Sequence, residues 1–207
     1  MTALIVMAKA PVPGWAKTRL IPALGERGAA RLAERFLRIT VDAALAADIG
    51  PVTLCGTPDE CSRGIFAELL LSPHIRWAPQ GDGDLGARMQ RAFVQVLHTQ
   101  GPGLLIGTDA PALDAAYLRA AALALIHHDT VFAPTADGGY ALIGLHHALP
   151  TLFADMPWST DAVMSMTRQR LAALGLNSAE LPLLHDIDEP ADLAHVPPAW
   201  LADISTP

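Results

Sequence analysis

The sequence contains few of the residues that mark disulfide-rich, nucleic-acid-binding or membrane proteins. Its two cysteines, Cys55 and Cys61, are too few for a disulfide framework and form no metal-ligand pattern, so we expect reduced thiols. Basic residues number 14 against 21 acidic ones, and the formal net charge is −7. This balance argues against a nucleic-acid polymer or an anionic membrane as partner. It does not argue against a small anionic ligand, which responds to local charge.

The apolar stretch at the start of the chain, residues 3–8, is far too short to cross a bilayer. No basic region precedes it, so it does not have the form of a signal peptide. We therefore expect no membrane span and a cytoplasmic protein.

Alanine and leucine are abundant, and aromatic residues make up only 5% of the chain. Hydrophobic residues make up 51%, which is enough for a sizeable core of helices packed on a sheet. The length of 207 residues fits one domain, and we expect residues 1–207 to form it.

Strand-like and helix-like patterns alternate along the chain. The patterns predict strands at 3–7, 51–55, 74–79, 104–107, 130–134, 140–145 and 181–184. They predict helices at 26–48, 59–71, from 85 onward, at 114–127 and at 160–174, and then an irregular tail that contains Pro197, Pro198 and Pro207. This alternation predicts an α/β fold with three αβα layers and a mainly parallel sheet. The glycine-rich turn at 137–139 predicts one antiparallel hairpin, so the sheet is expected to be mixed.

Two carboxylates follow predicted strands at distant places in the sequence. Asp109 comes directly after the strand at 104–107, among small residues and before a proline. Asp188 lies in the acidic cluster 186–190, which follows the strand at 181–184. Ligands of open parallel sheets bind beyond the carboxyl ends of the strands. The two carboxylates therefore predict a metal-assisted site for a phosphorylated ligand.

A basic loop follows the first predicted strand and carries Lys9, Gly14, Lys17 and Arg19. Glycine allows a close approach to a ligand, and the two cations at 17 and 19 can neutralise phosphate oxygens. The loop is not a P-loop, because that motif needs a glycine directly before the lysine. The alternative is a solvated basic loop, but its place after the first strand favours ligand binding.

A glycine-rich turn at 80–88 offers a competing interpretation. Gly81, Gly83 and Gly86 match the dinucleotide fingerprint G-x-G-x-x-G, and Asp109 lies at about the distance that the fingerprint requires. Asp82 and the residue at 84 would, however, set negative charge against a pyrophosphate, and the match lies in the third strand-helix unit rather than the first. A tight turn with a helix cap at position 84 is the structural alternative.

Two further segments combine turn residues with polar or aromatic groups. Asp137-Gly138-Gly139-Tyr140 joins two predicted strands, although Asp-Gly-Gly is also a common turn sequence. Trp158 precedes a serine and a threonine that can cap the next helix, and its ring can be core or a platform for a sugar or a base.

Taken together, these segments resemble the glycosyltransferase-A superfamily of nucleotide-diphosphosugar transferases over nearly the whole chain. More closely, the chain resembles a bacterial family of arsenosugar-biosynthesis-type glycosyltransferases. The resemblance rests on ordered matches at 8–20, 80–89, 107–111, 137–144, 158–160 and 186–193. The first and last of these also resemble small nucleotidyltransferases of the guanylyltransferase type, in which the last motif reads Asp-Thr-Pro. Here Glu189 stands at the threonine position, and glycosyl and nucleotidyl transfer both stay open.

The resemblance implies a role for each candidate residue. It implies a transferase that uses a nucleotide sugar or a nucleoside triphosphate with Mg²⁺ or Mn²⁺, and a small-molecule acceptor. Asp109 and Asp188 would hold the metal, and Asp109, Lys17 and Asp137 would be catalytic. The nucleotide would be bound by Lys9, Gly14, Lys17, Arg19, Gly81, Gly83 and Arg88, and the acceptor or sugar by Asp137, Gly139, Tyr140 and Trp158. Two functions from other classes stay open, a dinucleotide-binding oxidoreductase and a non-catalytic nucleotide-binding domain.

Overall fold

A seven-stranded mixed sheet forms the centre of the molecule in a computed structural model that describes residues 1–69 and 72–204. The strands are β1 (Ala3–Lys9), β2 (Val52–Thr57), β3 (Ile75–Pro79), β4 (Gly103–Ile106), β5 (Thr130–Pro134), β6 (Tyr140–Leu145) and β7 (Ser178–Glu180). Their order across the sheet is β3-β2-β1-β4-β6-β5-β7. Only β6 runs antiparallel to its neighbours, β4 and β5. The predicted fold class and the predicted hairpin are thus confirmed.

Helices cover the sheet. They are α1 (Ile21–Ala47), α2 (Asp59–Glu68), α3 (Leu85–Gln100), α4 (Ala115–His127), α5 (Pro150–Phe153), α6 (Val163–Leu174) and α7 (Pro198–Ile204). Short 3₁₀ turns at Thr18–Leu20 and Pro190–His195 flank the site described below. No helix of the described residues is long and apolar enough to span a membrane.

The alternation of buried side chains along β1 shows why two helical layers form. Leu4 and Val6 pack in a core with residues of α1 and α4, whereas Ile5 and Met7 pack in a second core with residues of α3 and α6. Successive side chains of a strand point to opposite faces, so an uninterrupted apolar strand needs cover on both. The first six residues of β1 are all buried, so this strand is covered by helices on both faces.

The last strand lies earlier than predicted. β7 covers Ser178–Glu180 rather than 181–184, and Leu184 forms only an isolated bridge with Thr135. Pro182 explains the difference, because a proline has no amide hydrogen to donate to a strand ladder. The chain still follows β5, since the amides of residues 181 and 184 donate to the carbonyls of 132 and 134.

The tail is more regular than predicted. Residues 198–204 form α7, with Pro198 at its start, where a missing amide hydrogen costs nothing. Trp200, Leu201 and Ile204 belong to a third apolar cluster with residues of α1. Pro207, and the end of the helix predicted at 59–71, lie outside the described residues. The helix predicted from residue 160 begins at Val163, with no side-chain cap.

The topology brings distant loops to one edge of the sheet. β1 and β4 are parallel neighbours, so their carboxyl ends lie side by side. Because β6 is antiparallel, the turn that joins the end of β5 to the start of β6 lies at the same edge. The loop after Leu184 also returns there through the bridge to Thr135.

Candidate active site

A cleft of about 510 Å³ opens at this edge of the sheet. Nine of the predicted site residues line it: Lys9, Lys17, Arg19, Asp109, Asp137, Gly139, Tyr140, Trp158 and Asp188. Four others, Gly14, Gly81, Gly83 and Arg88, are not among the lining residues. The structure therefore brings together the predicted metal, phosphate and acceptor residues, and it leaves most of the glycine turn outside the cleft.

The ammonium of Lys17 lies between the two predicted metal ligands. Its Nζ is 2.5 Å from Asp109 Oδ1 and 2.8 Å from Asp188 Oδ1, and it donates to the carbonyl of Ile187 at 2.6 Å. Only 7% of the Lys17 side chain is exposed, compared with 47% for Asp109 and 38% for Asp188. The carboxylates are thus accessible from the cleft, whereas the ammonium between them is enclosed.

One backbone hydrogen bond and apolar packing hold this arrangement in place. The amide of Ile187 donates to the carbonyl of Asp109 at 2.9 Å, which fixes the acidic segment beside the end of β4. Ile187 itself is buried in the third apolar cluster with Phe36, whose ring centroid is 5.5 Å from Lys17 Nζ. Lys17 has a left-handed backbone with φ 48°, an uncommon conformation for a non-glycine residue. Such strained residues concentrate at functional sites.

The charges at this edge of the cleft shift each other's protonation. Burial lowers the pKa of Lys17, but the charges of Asp109 and Asp188 outweigh it and raise that pKa above its usual value. Burial raises the pKa of Asp109, Lys17 opposes this, and Asp188 adds to it, so the net direction is upward. The Asp109 side chain nevertheless stays partly exposed to the cleft. Burial and then Asp137 raise the pKa of Asp186 to about 6. Four aspartates line the cleft against three basic side chains, so its formal charge is negative when all are ionised, which favours a bound cation.

The turn between β5 and β6 fixes a further carboxylate. Asp137 Oδ1 accepts from Thr135 Oγ1 at 2.5 Å and from the amide of Gly139 at 3.0 Å. Gly138 has φ +87°, and a side chain there would collide with the backbone of Asp161. The turn is thereby pressed against the segment that precedes α6.

Aromatic side chains form a wall beside this turn. The rings of Tyr140 and Trp158 meet edge to face with centroids 6.5 Å apart, and Tyr140 makes a similar contact with Phe132 at 5.3 Å. Gly86, at the start of α3, lies against the Trp158 indole, and a side chain at this glycine would meet it at 3.0 Å. Trp158 is therefore positioned by packing while it also lines the cleft.

The polar groups of the glycine turn before α3 form hydrogen bonds within the chain. The amide of Gly81 donates to Asp59 Oδ2 at 3.1 Å, and Arg91 donates to the carbonyl of Asp82 at 2.8 Å. Asp84 caps α3 by accepting from the amide of Ala87 at 2.8 Å, as the sequence predicts. Arg88 Nε donates to the carbonyl of Gly83 at 2.9 Å. These donors are already hydrogen-bonded and are therefore not free to bind a pyrophosphate.

The polar cleft residues that sequence reasoning did not assign to the site include Gln80, Ser159 and Asp186. Gln80 is 5% exposed, and its Nε2 donates to the carbonyls of Ala8 and Cys55 at 3.1 and 2.9 Å, which ties β1 to β2. Its place directly after the strand predicted at 74–79, at the start of the glycine turn, is a signal that could have identified it. Asp186 was recognised only as part of an acidic cluster. Ser159 carries a positive φ of 64°, which is invisible in the sequence.

The oxygen atoms around Lys17 Nζ fit a divalent cation. Carboxylate and carbonyl oxygens are the hard ligands that Mg²⁺ and Mn²⁺ prefer. Among residues 1–69 and 72–204, no group of three or more His, Cys, Asp or Glu side chains forms a metal cage. Mg²⁺ is commonly held by one or two carboxylates, with water and substrate phosphates as further ligands. Asp109 and Asp188 match that kind of site.

Solved structures with the same fold have been determined. A Desulfovibrio desulfuricans G20 protein, named provisionally as a nucleotide-diphospho-sugar transferase, is 28% identical with a TM-score of 0.84, over 91% of this chain and 84% of that one. Rv0371c of Mycobacterium tuberculosis H37Rv, in complex with manganese, is 16% identical with a TM-score of 0.60, over 95% and 98%. A CMP:2-keto-3-deoxy-manno-octonic acid synthetase complexed with CTP is 12% identical with a TM-score of 0.58, over 98% and 99%.

The sequence itself matches one family over more than half of its length. The profile of the family described as "Uncharacterized protein conserved in bacteria (DUF2064)" covers residues 40–160. No curated protein matches the chain significantly. The predicted superfamily is confirmed by the fold. The chain therefore belongs to the DUF2064 family, and its fold is that of the nucleotide-diphospho-sugar transferases.

Proposed function

We propose that the protein is a metal-dependent transferase that takes its donor group from a nucleotide sugar or a nucleoside triphosphate. The observation that carries this proposal is the convergence of Lys17, Asp109 and Asp188 in one cleft, from three distant parts of the chain. The names of the structural neighbours support it, since they include transferases of both kinds, one complexed with CTP and another protein with manganese.

The metal and phosphate residues have separable roles in this proposal. Asp109 and Asp188 would hold Mg²⁺ or Mn²⁺, which supplies Lewis-acid stabilisation to the diphosphate of the donor. Lys17 and Arg19 would take phosphate oxygens, with Lys9 at the end of β1 as a third cation on the same cleft. Together these charges would stabilise the negative charge that grows on the leaving group.

The opposite side of the cleft suits an acceptor. Both hydrogen bonds to Asp137 Oδ1 keep that carboxylate oriented. An oriented carboxylate can accept the proton of an acceptor hydroxyl as that oxygen attacks. Tyr140 and Trp158 would provide an apolar wall for the acceptor or for the sugar of the donor.

The first candidate reaction is glycosyl transfer. In that reaction the bond between the anomeric carbon and the diphosphate breaks, the acceptor oxygen takes the sugar, and a nucleoside diphosphate leaves. The second candidate is nucleotidyl transfer, which the nucleotidyltransferases among the neighbours support. There the acceptor attacks the α-phosphorus, and pyrophosphate leaves. The leaving group therefore distinguishes the two reactions.

A melting-temperature panel of nucleoside triphosphates and nucleotide sugars, with Mn²⁺ or with EDTA, tests the proposal. A ligand that binds only the folded state raises the midpoint by mass action. We expect at least one ligand to raise it with Mn²⁺ and much less in EDTA. That ligand is then incubated with the protein, with water as the acceptor that takes the transferred group, and the released nucleoside diphosphate or pyrophosphate is identified by ³¹P NMR. The absence of any Mn²⁺-dependent shift across the panel would contradict the proposal.

A further inference from the structure

Lys17 makes a complete set of hydrogen bonds to the oxygens that the proposed function assigns to a metal. An ammonium group has three donors and no acceptor. Asp109 Oδ1, Asp188 Oδ1 and the Ile187 carbonyl, all within 2.8 Å of Nζ, account for all three. We call these atoms the three-oxygen pocket. Because Nζ already occupies its centre, a divalent cation cannot take the same oxygens while Lys17 stays in place.

The two basic residues of the loop are both turned towards the acidic segment. Lys17 contacts Asp188, and Arg19 approaches Glu189 with an N–O distance of 3.9 Å. The outer pair is 60% and 65% exposed and contributes little stability. In the inner pair the Lys17 ammonium is enclosed, so its position determines whether the pocket is open. Lys17, which is expected to bind phosphate, is thus paired with the carboxylates expected to bind metal, whereas Arg19 approaches a carboxylate outside that set.

We propose that Lys17 is an internal competitor of the divalent metal for the three-oxygen pocket, and that donor phosphates remove it. This inference rests on the proposed function. When the phosphates draw the ammonium away, both carboxylates become free for the metal. The same movement gives the phosphates their lysine, so metal and nucleotide support each other's binding. Such coupling is reciprocal by thermodynamic necessity. The metal alone then binds weakly, and the complete site forms only with the donor present.

The proposal predicts that loss of Lys17 increases the affinity for the metal, whereas loss of a lysine that only helps to bind ligands would not increase it. If only about a tenth of the molecules have Lys17 out of the pocket, the apparent metal affinity is reduced about tenfold. Removing the ammonium should remove this reduction. A Lys17→Met variant should therefore bind Mn²⁺ about tenfold more tightly than the unmodified protein in the absence of nucleotide.

Mn²⁺ titrations by isothermal calorimetry, without nucleotide, test this on four proteins. They are the unmodified chain, Lys17→Met, Lys17→Gln, which keeps an amide donor in the pocket, and Arg168→Met as the matched control. Arg168 is 52% exposed and pairs with Glu180 on α6 and β7, so its loss removes one positive charge away from the cleft. We expect tighter binding in both Lys17 variants and no change in the control. Melting in EDTA checks that each variant is folded.

A second measurement uses the unmodified protein and does not depend on a variant that folds. The sequence contains two lysines, Lys9 and Lys17. Lys9 is exposed, whereas Lys17 is enclosed, so Lys9 is an internal reference for an amine-reactive label. Mass spectrometry should show that Mn²⁺ increases the labelling of Lys17 relative to Lys9. The increase should reach half its maximum at the Mn²⁺ concentration found by calorimetry.

The outcomes separate this inference from the proposed function. Equal or weaker Mn²⁺ binding by Lys17→Met, together with unchanged labelling of Lys17, would overturn the competition even if a nucleotide binds with Mn²⁺. Tighter Mn²⁺ binding by the variant, with no nucleotide shift in the melting panel, would support the competition and reject the transferase. Failure of both Lys17 variants to bind Mn²⁺ would overturn the competition, and the melting panel with nucleotides would still decide on the transferase.

Discussion

The basic loop after β1 and the glycine turn after β3 use their polar groups in opposite ways. In the glycine turn, the Gly81 amide donates to Asp59, Asp84 caps α3, and Arg91 takes the carbonyl of Asp82. In the basic loop, Lys17 reaches across the cleft to carboxylates that lie 92 and 171 positions away in the sequence. The glycine turn forms its hydrogen bonds with residues nearby in the sequence, whereas Lys17 of the basic loop forms its ion pairs with distant segments. A glycine motif therefore indicates a ligand only when the surrounding chain leaves its donors free.

The largest expected effect is the loss of nucleotide affinity when Asp109, one of the carboxylates that Lys17 contacts, is replaced. We expect Asp109→Asn to weaken nucleotide binding in Mn²⁺ by about 100-fold, because the amide is a poorer ligand for a hard cation than the carboxylate. Binding in EDTA should change little. Nucleotide titrations under both conditions measure the difference. Asp114→Asn is the control, since Asp114 caps α4 outside the cleft and should not alter nucleotide binding. Equal losses with and without Mn²⁺ would remove the metal role.

The next effect concerns Lys17 and separates phosphate recognition from recognition of the nucleoside. Lys17→Ala should reduce affinity for a nucleoside diphosphate about tenfold or more, the usual size of a charge-assisted hydrogen bond. Affinity for the bare nucleoside should hardly change, and neither should the melting temperature, because the carboxylates left behind can hydrate from the cleft. Parallel titrations of the two ligands in saturating Mn²⁺, where the higher metal affinity of the variant no longer matters, provide the test. A loop that is only structural would lose affinity for both ligands equally.

Loss of a hydrogen bond that holds the glycine turn should lower the free energy of unfolding rather than the affinity for a nucleotide. Arg91→Met removes the donor to the carbonyls of Gln80 and Asp82, and this should lower the free energy of unfolding by about 1–3 kcal/mol. Urea unfolding of the variant measures it. Arg76→Met, a change of the same kind on β3, is the control. If Arg91→Met left stability unchanged but abolished nucleotide binding, the distinction between the two loops would be wrong.

The smallest expected effect is the response to dinucleotides. Because Asp59 already accepts from the Gly81 amide and Asp84 already caps α3, NAD and NADP should give no melting shift at millimolar concentration. A nucleotide that shifts the midpoint with Mn²⁺ is the positive control. Binding of NAD in EDTA that is lost on Gly83→Val would instead favour the oxidoreductase.

Much of the fold could be predicted because hydrophobic periodicity is a local signal. The apolar strands, the amphipathic helices, the caps at Asp84 and Asp114 and the hairpin at Gly138 and Gly139 all depend on neighbouring residues. The prediction was wrong for the tail, which packs against α1 as a helix, and for the last strand, which Pro182 keeps out of the ladder. Leu184 lies in an apolar run, yet the strand ends before the proline at 182.

The type of sheet, the two acidic strand ends and the basic loop can be read from the chain, since each follows from residues close together in it. Which of these groups meet depends on the tertiary structure. It places the Lys17 ammonium between Asp109 and Asp188, and it turns the donors of the glycine motif towards Asp59. The physical reason is that an ion pair depends on distance in space, and the parallel sheet brings the ends of distant strands to one edge.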